Sequence, residues 1–117
     1  MKKEIKVLIV EDSQEDFLLI LREFKQAGYE ILHQRVDTAE ELKQALTKQD
    51  WDIILSDYSM PNLNGLEALE IVKKAGKDTP FLIVSGSIGE DAAVEILKKG
   101  AADYIMKDRI ARLVPEV

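Results

Sequence analysis

Short apolar runs alternate along the chain with segments in which apolar residues recur at helical spacing. The runs that predict strands are Ile5 to Val10, Ile31 to Val36, Ile53 to Ser56, Phe81 to Ser85, and Asp103 to Met106. The first, third and fourth runs are almost continuously apolar, which is typical of strands covered on both faces. Because strands and helices alternate, the pattern predicts an α/β fold, a doubly wound sheet of five parallel strands with helices on both faces.

Four segments between these runs have the spacing of amphipathic helices. Their apolar positions are Phe17, Leu18, Ile20, Leu21 and Phe24; Ala39, Leu42, Ala45 and Leu46; Leu66, Leu69, Ile71 and Val72; and Ala93, Val94 and Leu97. Ser13 and Asp16 are candidates for the capping end of the first helix, and Thr38 with Glu41 has the spacing of a capping box. Glycines that predict left-handed helix ends follow three segments: Gly28, Gly76 and Gly100.

The sequence after the fifth strand indicates only a short or incomplete fifth helix. Residues from Arg109 to Val117 start a helical pattern that contains Pro115 and stops early. The chain has no internal repeat and no linker of domain size, so we expect residues 1–117 to form one domain. The early stop of the fifth helix leaves two alternatives open: a short fifth helix, or a chain cut from a longer protein.

Composition and charge exclude several classes of function. Hydrophobic residues make up 46% of the 117 positions and charged residues 32%, as in globular domains that build their own core. The net charge of -6 argues against direct nucleic-acid binding, which needs basic patches. Cysteine is absent, so disulfides and thiolate metal sites are excluded. No membrane-spanning stretch or signal-peptide pattern is present, and we expect a cytoplasmic location.

Polar side chains stand at the ends of four predicted strands. Glu11 and Asp12 follow the first strand, Asp57 follows the third, Ser85 ends the fourth, and Lys107 follows the fifth. The carboxyl ends of parallel strands meet at one edge of the sheet, where open α/β sheets bind ligands. Three carboxylates suit a hard divalent cation such as Mg²⁺. A carboxylate can also attack phosphorus, while a hydroxyl and an ammonium hold the phosphoryl oxygens.

The order of these motifs resembles the receiver domain of two-component response regulators and hybrid sensor kinases over essentially the whole chain. The matching features are the pair Glu11-Asp12, the segment Asp57-x-x-Met60-Pro61 with Gly65, Ser85 before Gly86, Tyr104, and Lys107. The resemblance implies a flavodoxin-like fold with strand order 2-1-3-4-5. It also implies a phosphoprotein of two-component signal transduction or a phosphorelay.

The resemblance implies that Asp57 is the phosphoacceptor. It would take a phosphoryl group from a histidine kinase or a phosphotransfer protein, in a reaction that the domain itself catalyses, as it does the later dephosphorylation. Mg²⁺, or Mn²⁺ in its place, would bind directly to Asp12, Asp57 and the backbone carbonyl of Ser59. Glu11 would contact the ion through water.

The remaining matched residues are implied to hold the phosphoryl group and to switch the domain. Lys107 and Ser85 would bind phosphoryl oxygens. On phosphorylation Ser85 would move inward and Tyr104 would follow, which reshapes the face made by helix four, strand five and helix five. An output domain or a partner protein would bind to this face.

Two features affect how far the family pattern applies to this chain. The family often has a proline with a cis peptide after the lysine, whereas this chain has Asp108. Because a cis bond before a residue other than proline costs roughly 2.5–4 kcal/mol, we expect a trans Lys107–Asp108 peptide. Ser59 and Ser87 match positions beside the path of the attacking water, and we expect them to tune the lifetime of the phosphoryl group.

Other functions are compatible with the same sequence. Each polar residue alone has an ordinary structural explanation, such as helix capping for Glu11 and Asp12 or a solvated surface for Lys107. A receiver-like interaction module that is never phosphorylated fits the same fold. A phosphohydrolase of the haloacid dehalogenase class also uses a strand-end aspartate, but it needs a second aspartate where this chain has Ser59. His33 lies away from the strand ends and is interpreted as structural or exposed.

Overall fold

The computed structural model describes residues 3–86 and 89–112. The strands are β1 Lys3–Val10, β2 Tyr29–Val36, β3 Ile53–Ser56, β4 Phe81–Ser85 and β5 Asp103–Met106. The helices are α1 Gln14–Gln26, α2 Ala39–Lys48, α3 Gly65–Lys74 and α4 Glu90–Lys98. A 3₁₀ helix, Lys107–Arg112, follows β5. Ser87 and residues 113–117 of the predicted fifth helix lie outside the described residues.

All five strands are parallel and their order is β2-β1-β3-β4-β5, which confirms the predicted doubly wound, flavodoxin-like sheet. The predicted bounds of β3, β4 and β5 agree with the structure, while β1 and β2 each begin two residues earlier than predicted. Val10 lies beside Ser56 in the register of the sheet, and Ser85 lies beside Met106. The carboxyl ends of these strands are therefore level, so the residues that follow them emerge at one edge.

Successive residues of β1 belong to two apolar clusters on opposite faces of the sheet. Leu8 and Val10 pack in a cluster with buried residues of α2 and α3, while Val7 and Ile9 pack in a second cluster with Ile20 and Phe24 of α1. Both faces of the central strands are thus covered, as the continuous apolar runs predict. No helix in the described part of the chain is both long and apolar enough to cross a membrane.

The predicted N-caps Ser13 and Thr38 are both confirmed, but one bond of the expected capping box at α2 has a different donor. The Ser13 hydroxyl accepts a hydrogen bond from the backbone N–H of Asp16 at 3.3 Å, and the Thr38 hydroxyl accepts one from the N–H of Glu41 at 3.2 Å. The Glu41 carboxylate accepts from the N–H of Asp37, one residue before the N-cap. At α2 the second bond of the expected capping box therefore comes from the N–H of Asp37 instead of the N–H of the N-cap residue, Thr38.

The complete capping box lies at α3, where the sequence pattern was not used to predict one. The Asn64 side chain accepts from the N–H of Glu67 at 2.8 Å, and the Glu67 carboxylate accepts from the N–H of Asn64 at 3.1 Å. These bonds fix the start of α3 directly after the loop that follows β3. The three predicted left-handed glycines are confirmed, with φ values of 88° at Gly28, 73° at Gly76 and 123° at Gly100.

Candidate functional site

Asp57 stands directly after β3 and is held there by backbone contacts. Its N–H donates to the carbonyl oxygen of Val10 at 2.9 Å, which ties the end of β3 to the end of β1. The residue is 8% exposed. One carboxylate oxygen, Oδ1, accepts from the N–H of Tyr58 at 2.7 Å, and the other, Oδ2, lies 3.3 Å from the ammonium of Lys107. The carboxylate thus has a defined orientation at the edge of the sheet.

The acidic pair after β1 divides into one buried and one exposed residue. Glu11 is 1% exposed and its Oε1 accepts from the N–H of Ser13 at 3.0 Å, whereas Asp12 is exposed. Carboxylate oxygens of Glu11, Asp12 and Asp57 all lie within 4.8 Å of one another. A set of three carboxylates at this separation fits a hard divalent cation such as Mg²⁺, which prefers oxygen ligands.

The pKa of Glu11 reflects its burial. The pKa is raised from 4.5 to about 7, and loss of solvent on burial is the largest cause. The charge of Asp57 also raises the pKa, while the hydrogen bonds from Lys107 and from the N–H of Ser13 lower it. A carboxylate with this balance is stabilised in its ionised form by any additional positive charge nearby. The electrostatics of Glu11 therefore agree with the donor set in favouring a cation.

Lys107 brings one ammonium group to three carboxylates. Its Nζ lies 2.5 Å from Oδ2 of Asp16, 2.9 Å from Oε2 of Glu11 and 3.3 Å from Oδ2 of Asp57. Burial by itself lowers the pKa of Lys107, but the hydrogen bonds with Asp16 and Glu11 raise it above the ordinary value. The ammonium therefore stays charged and faces the carboxylate of Asp57.

Asp16 is the functional-site residue that sequence reasoning missed. It lies in the first turn of α1, where acidic residues are common because they interact favourably with the helix dipole. Its sequence context therefore offered an ordinary explanation. Only the packing of α1 beside the segment after β5 brings its carboxylate to Lys107, which is 91 positions away in the chain.

The loop after Asp57 needs a glycine at position 65. The N–H of Gly65 donates to the carbonyl oxygen of Tyr58 at 2.9 Å, which brings the start of α3 against the acidic loop. A Cβ at this position would lie 2.8 Å from Cδ1 of Ile83 and 3.0 Å from the carbonyl oxygen of Asp57. The first distance is shorter than carbon atoms adopt and the second is very tight, so Ile83 or the backbone would have to shift, and the close approach depends on the missing side chain.

Ser85, Tyr104 and Ser59 lie where the sequence pattern placed them. Ser85 is the last residue of β4 and is 1% exposed. Tyr104 lies in β5, half-buried against the apolar cluster that contains α2 and α3. Ser59 lies in the exposed loop two residues after Asp57.

Two further expectations concern residues outside this group. The peptide bonds in the described ranges are all trans, the Lys107–Asp108 bond included, as the departure from proline predicts. His33 is exposed on β2, and its ring packs edge-on against Phe17 with the centroids 5.4 Å apart. This placement agrees with a structural or exposed histidine.

Comparison with known proteins identifies the family. The family model of the response regulator receiver domain matches residues 7–117. The chain belongs to this family. The result confirms the predicted function, a phosphoacceptor signalling domain of a two-component system, and agrees with the acidic cluster at the end of the sheet.

Individual relatives support the same conclusion about this receiver domain. It is 32% identical to the response regulator protein FleR of Pseudomonas aeruginosa over 92% of its own length and 22% of FleR. It is 31% identical to the cell cycle transcriptional regulator CtrA of Caulobacter vibrioides, over 88% of this chain and 44% of CtrA. The chain thus spans less than half of these relatives. The receiver domain of the Francisella response regulator 1452 is 28% identical, with a TM-score of 0.80 over 95% of this chain and 91% of that one.

Proposed function

We propose that Asp57 is the residue of this receiver domain that accepts the phosphoryl group, from a histidine kinase or a phosphotransfer protein. The observation that carries the proposal is the ion pair between Oδ2 of Asp57 and the ammonium of Lys107, at the edge where Glu11 and Asp12 also lie. A nucleophilic carboxylate needs nearby positive charge to receive an anionic donor, and Lys107 supplies a fixed one.

The acidic cluster is proposed to hold Mg²⁺, with Mn²⁺ as a second candidate. Asp12 and Asp57 would bind the ion directly, together with the backbone carbonyl of Ser59, and Glu11 would contact it through water. When bound, a divalent cation neutralises charge on phosphoryl oxygens. The close spacing of the three carboxylates supports this assignment.

The residues of the chain have separate tasks in the transfer. The hydrogen bond from the N–H of Tyr58 orients the Asp57 carboxylate. A carboxylate oxygen of Asp57 attacks phosphorus, the bond between phosphorus and the donor histidine breaks, and its electrons leave with the imidazole, so an aspartyl phosphate forms. Lys107 and the hydroxyl of Ser85 bind phosphoryl oxygens. Attack of water on phosphorus later restores the Asp57 carboxylate and releases phosphate, and the domain thereby catalyses both reactions.

Phosphorylation of Asp57 is proposed to change the face of the domain formed by α4, β5 and the segment after β5. An aspartyl phosphate adds about -1.5 to -2 of charge at neutral pH and new acceptor oxygens. Ser85 and Tyr104 are the proposed switch residues, because one ends β4 and the other lies half-buried in the neighbouring strand β5. Their movement would change the face formed by α4, β5 and the segment after β5, where an output domain or a partner protein would bind.

The experiment that tests this function is incubation with acetyl phosphate, followed by measurement of the intact protein mass by mass spectrometry. We expect the wild type to gain one phosphoryl group with Mg²⁺ and none in a chelator, and Asp57→Asn to gain none. Asp78→Asn, which removes an exposed carboxylate before β4, is the matched control and should be labelled like the wild type. Labelling of Asp57→Asn at the wild-type level would contradict the assignment.

The metal assignment has its own measurement. Calorimetric titration should show that Asp12→Ala weakens Mg²⁺ binding by about tenfold or more, since even partners of metal ligands contribute about tenfold. The same variant should be labelled slowly by acetyl phosphate. An unchanged Mg²⁺ affinity would refute the role of Asp12. Absence of labelling in the wild type, with both acetyl phosphate and kinases as donors, would instead favour an interaction module that is never phosphorylated.

A further inference from the structure

Lys107 makes its shortest described ion pair with an acid that lies outside the receiver motif. Its Nζ is 2.5 Å from Oδ2 of Asp16, compared with 3.3 Å from Oδ2 of Asp57. The Asp16 side chain is 32% exposed and that of Lys107 is 15% exposed, so this ion pair is partly shielded from water. In the unphosphorylated domain, Asp16 is therefore a strong partner of the ammonium that faces Asp57.

Asp16 is held in a fixed position by its helix. Its backbone N–H donates to the hydroxyl of Ser13, the N-cap of α1. The same helix buries Ile20 and Phe24 in the apolar cluster on its side of the sheet. The Asp16 carboxylate is thus attached to a packed element, whereas Lys107 reaches it through a long and rotatable side chain.

Asp16 and a phosphoryl group on Asp57 would compete for the ammonium of Lys107. An ammonium has three N–H donors, and Lys107 lies close to three carboxylates, those of Glu11, Asp16 and Asp57. A phosphoryl group on Asp57 offers new acceptor oxygens with greater negative charge. Because Asp16 is itself an anion, it competes with that group for the ammonium and adds repulsion of its own.

We propose that Asp16 is a positioning residue that retains Lys107 in the unphosphorylated state and thereby slows phosphorylation of Asp57. The inference rests on the proposed function, because it assumes that Lys107 assists transfer to Asp57. It adds a residue that restrains the reaction, on the helix that packs against the opposite face of the sheet from α2 and α3.

The test compares two variants with the same change of charge. Asp16→Asn removes the competing carboxylate, and the rate constant for labelling by acetyl phosphate with saturating Mg²⁺ should rise roughly threefold to tenfold, as for coupled residues of one network. Glu15→Gln removes a negative charge from the same helical turn, on an exposed residue. Its labelling rate should stay within about twofold of the wild type, since exposed charges act weakly through solvent.

A third variant shows whether Asp16 acts through Lys107. In a Lys107→Ala background, the change Asp16→Asn should no longer accelerate labelling, because the ammonium for which Asp16 competes is absent. A residue with only a structural role would alter stability without this dependence on Lys107. Thermal unfolding of each variant separates the two effects.

The outcomes separate this inference from the proposed function. Acceleration by Asp16→Asn that is absent in Glu15→Gln and lost without Lys107 supports it. An unchanged or slower rate, equal acceleration in Glu15→Gln, or acceleration that persists without Lys107 would overturn it while the wild type is still labelled. Failure of the wild type to be labelled would overturn the proposed function, and this inference with it.

Discussion

At the scale of single residues, the site is a balance between burial and charge. Glu11 and Asp57 are buried polar residues at the ends of neighbouring strands, and Lys107 offers both of them one ammonium. Adjacent Asp12 is exposed, so two acids that look alike in the sequence have different electrostatics. Burial raises the pKa of Glu11 to about 7.

The stability of the metal-free protein should depend on the protonation of Glu11. Its pKa rises from 4.5 to about 7 on folding, so between these pH values the folded state binds more protons than the unfolded state. The free energy of unfolding should therefore fall as the pH rises through this window. The contribution of Glu11 to this fall is roughly 1–3 kcal/mol.

The measurement is urea denaturation in a chelator at several pH values across that window. Glu11→Gln is neutral throughout and should lack the contribution, so its unfolding free energy relative to the wild type should increase as the pH rises. Glu15→Gln, which alters an exposed acid, controls for the overall change of charge. Parallel curves for the wild type and Glu11→Gln would contradict the prediction.

At the scale of elements, strand ends and caps bring the residues of the site into register. The N–H of Asp57 donates to the carbonyl oxygen of Val10, and the N–H of Glu11 donates to that of Val36. Each acid therefore continues the backbone hydrogen bonding between its own strand and the neighbouring strand. The capping box of Asn64 and Glu67 then sets the start of α3. The loop between β3 and α3 is thereby held at both ends.

Gly65→Ala should destabilise the protein by about 1–3 kcal/mol, because the new methyl group meets Ile83 and the backbone of Asp57 in a packed region. Gly89→Ala is the control: a Cβ at Gly89 has no heavy atom of the described residues within 4 Å, apart from its own chain neighbours and helix backbone. Its cost should stay under about 1 kcal/mol, the size of a change at an N-cap. Urea denaturation measures both. Equal costs for the two variants would show that the close approach at Gly65 is unimportant.

At the scale of the whole molecule, the central strands join the two apolar clusters. Neighbouring residues of β1 and of β3 point into different clusters, so neither cluster can come apart without exposing strands that the other covers. The functional edge depends on the same strands. Loss of either cluster should therefore disrupt the site.

Unfolding should accordingly be a single cooperative transition. Trp51 is buried and its indole N–H donates to the carbonyl oxygen of Ala45 at 3.0 Å, so its fluorescence reports the cluster that contains α2 and α3. In urea, the midpoint from Trp51 fluorescence should coincide with that from far-UV circular dichroism, which reports all elements. Separate midpoints would indicate that one face of the sheet unfolds before the other.

Much of the fold and the site could be predicted because their signals are local. The apolar runs of β3, β4 and β5 fixed their bounds, and Ser13 and Thr38 marked helix starts through bonds to residues three positions away. The box at Asn64 and Glu67 is equally local and could have been found by the same rule, extended to asparagine.

The amino-acid sequence by itself determined the five strands, the alternation with helices, and the polar residues that end the strands. These follow from hydrophobic period and from short-range hydrogen bonds. Tertiary structure alone decided that Glu11 is buried beside exposed Asp12, that position 65 has no space for a side chain, and that Asp16 reaches Lys107. The physical reason is that burial and ion pairing depend on which elements pack together. Asp16 and Lys107 are 91 positions apart, and no local sequence pattern links residues at that separation.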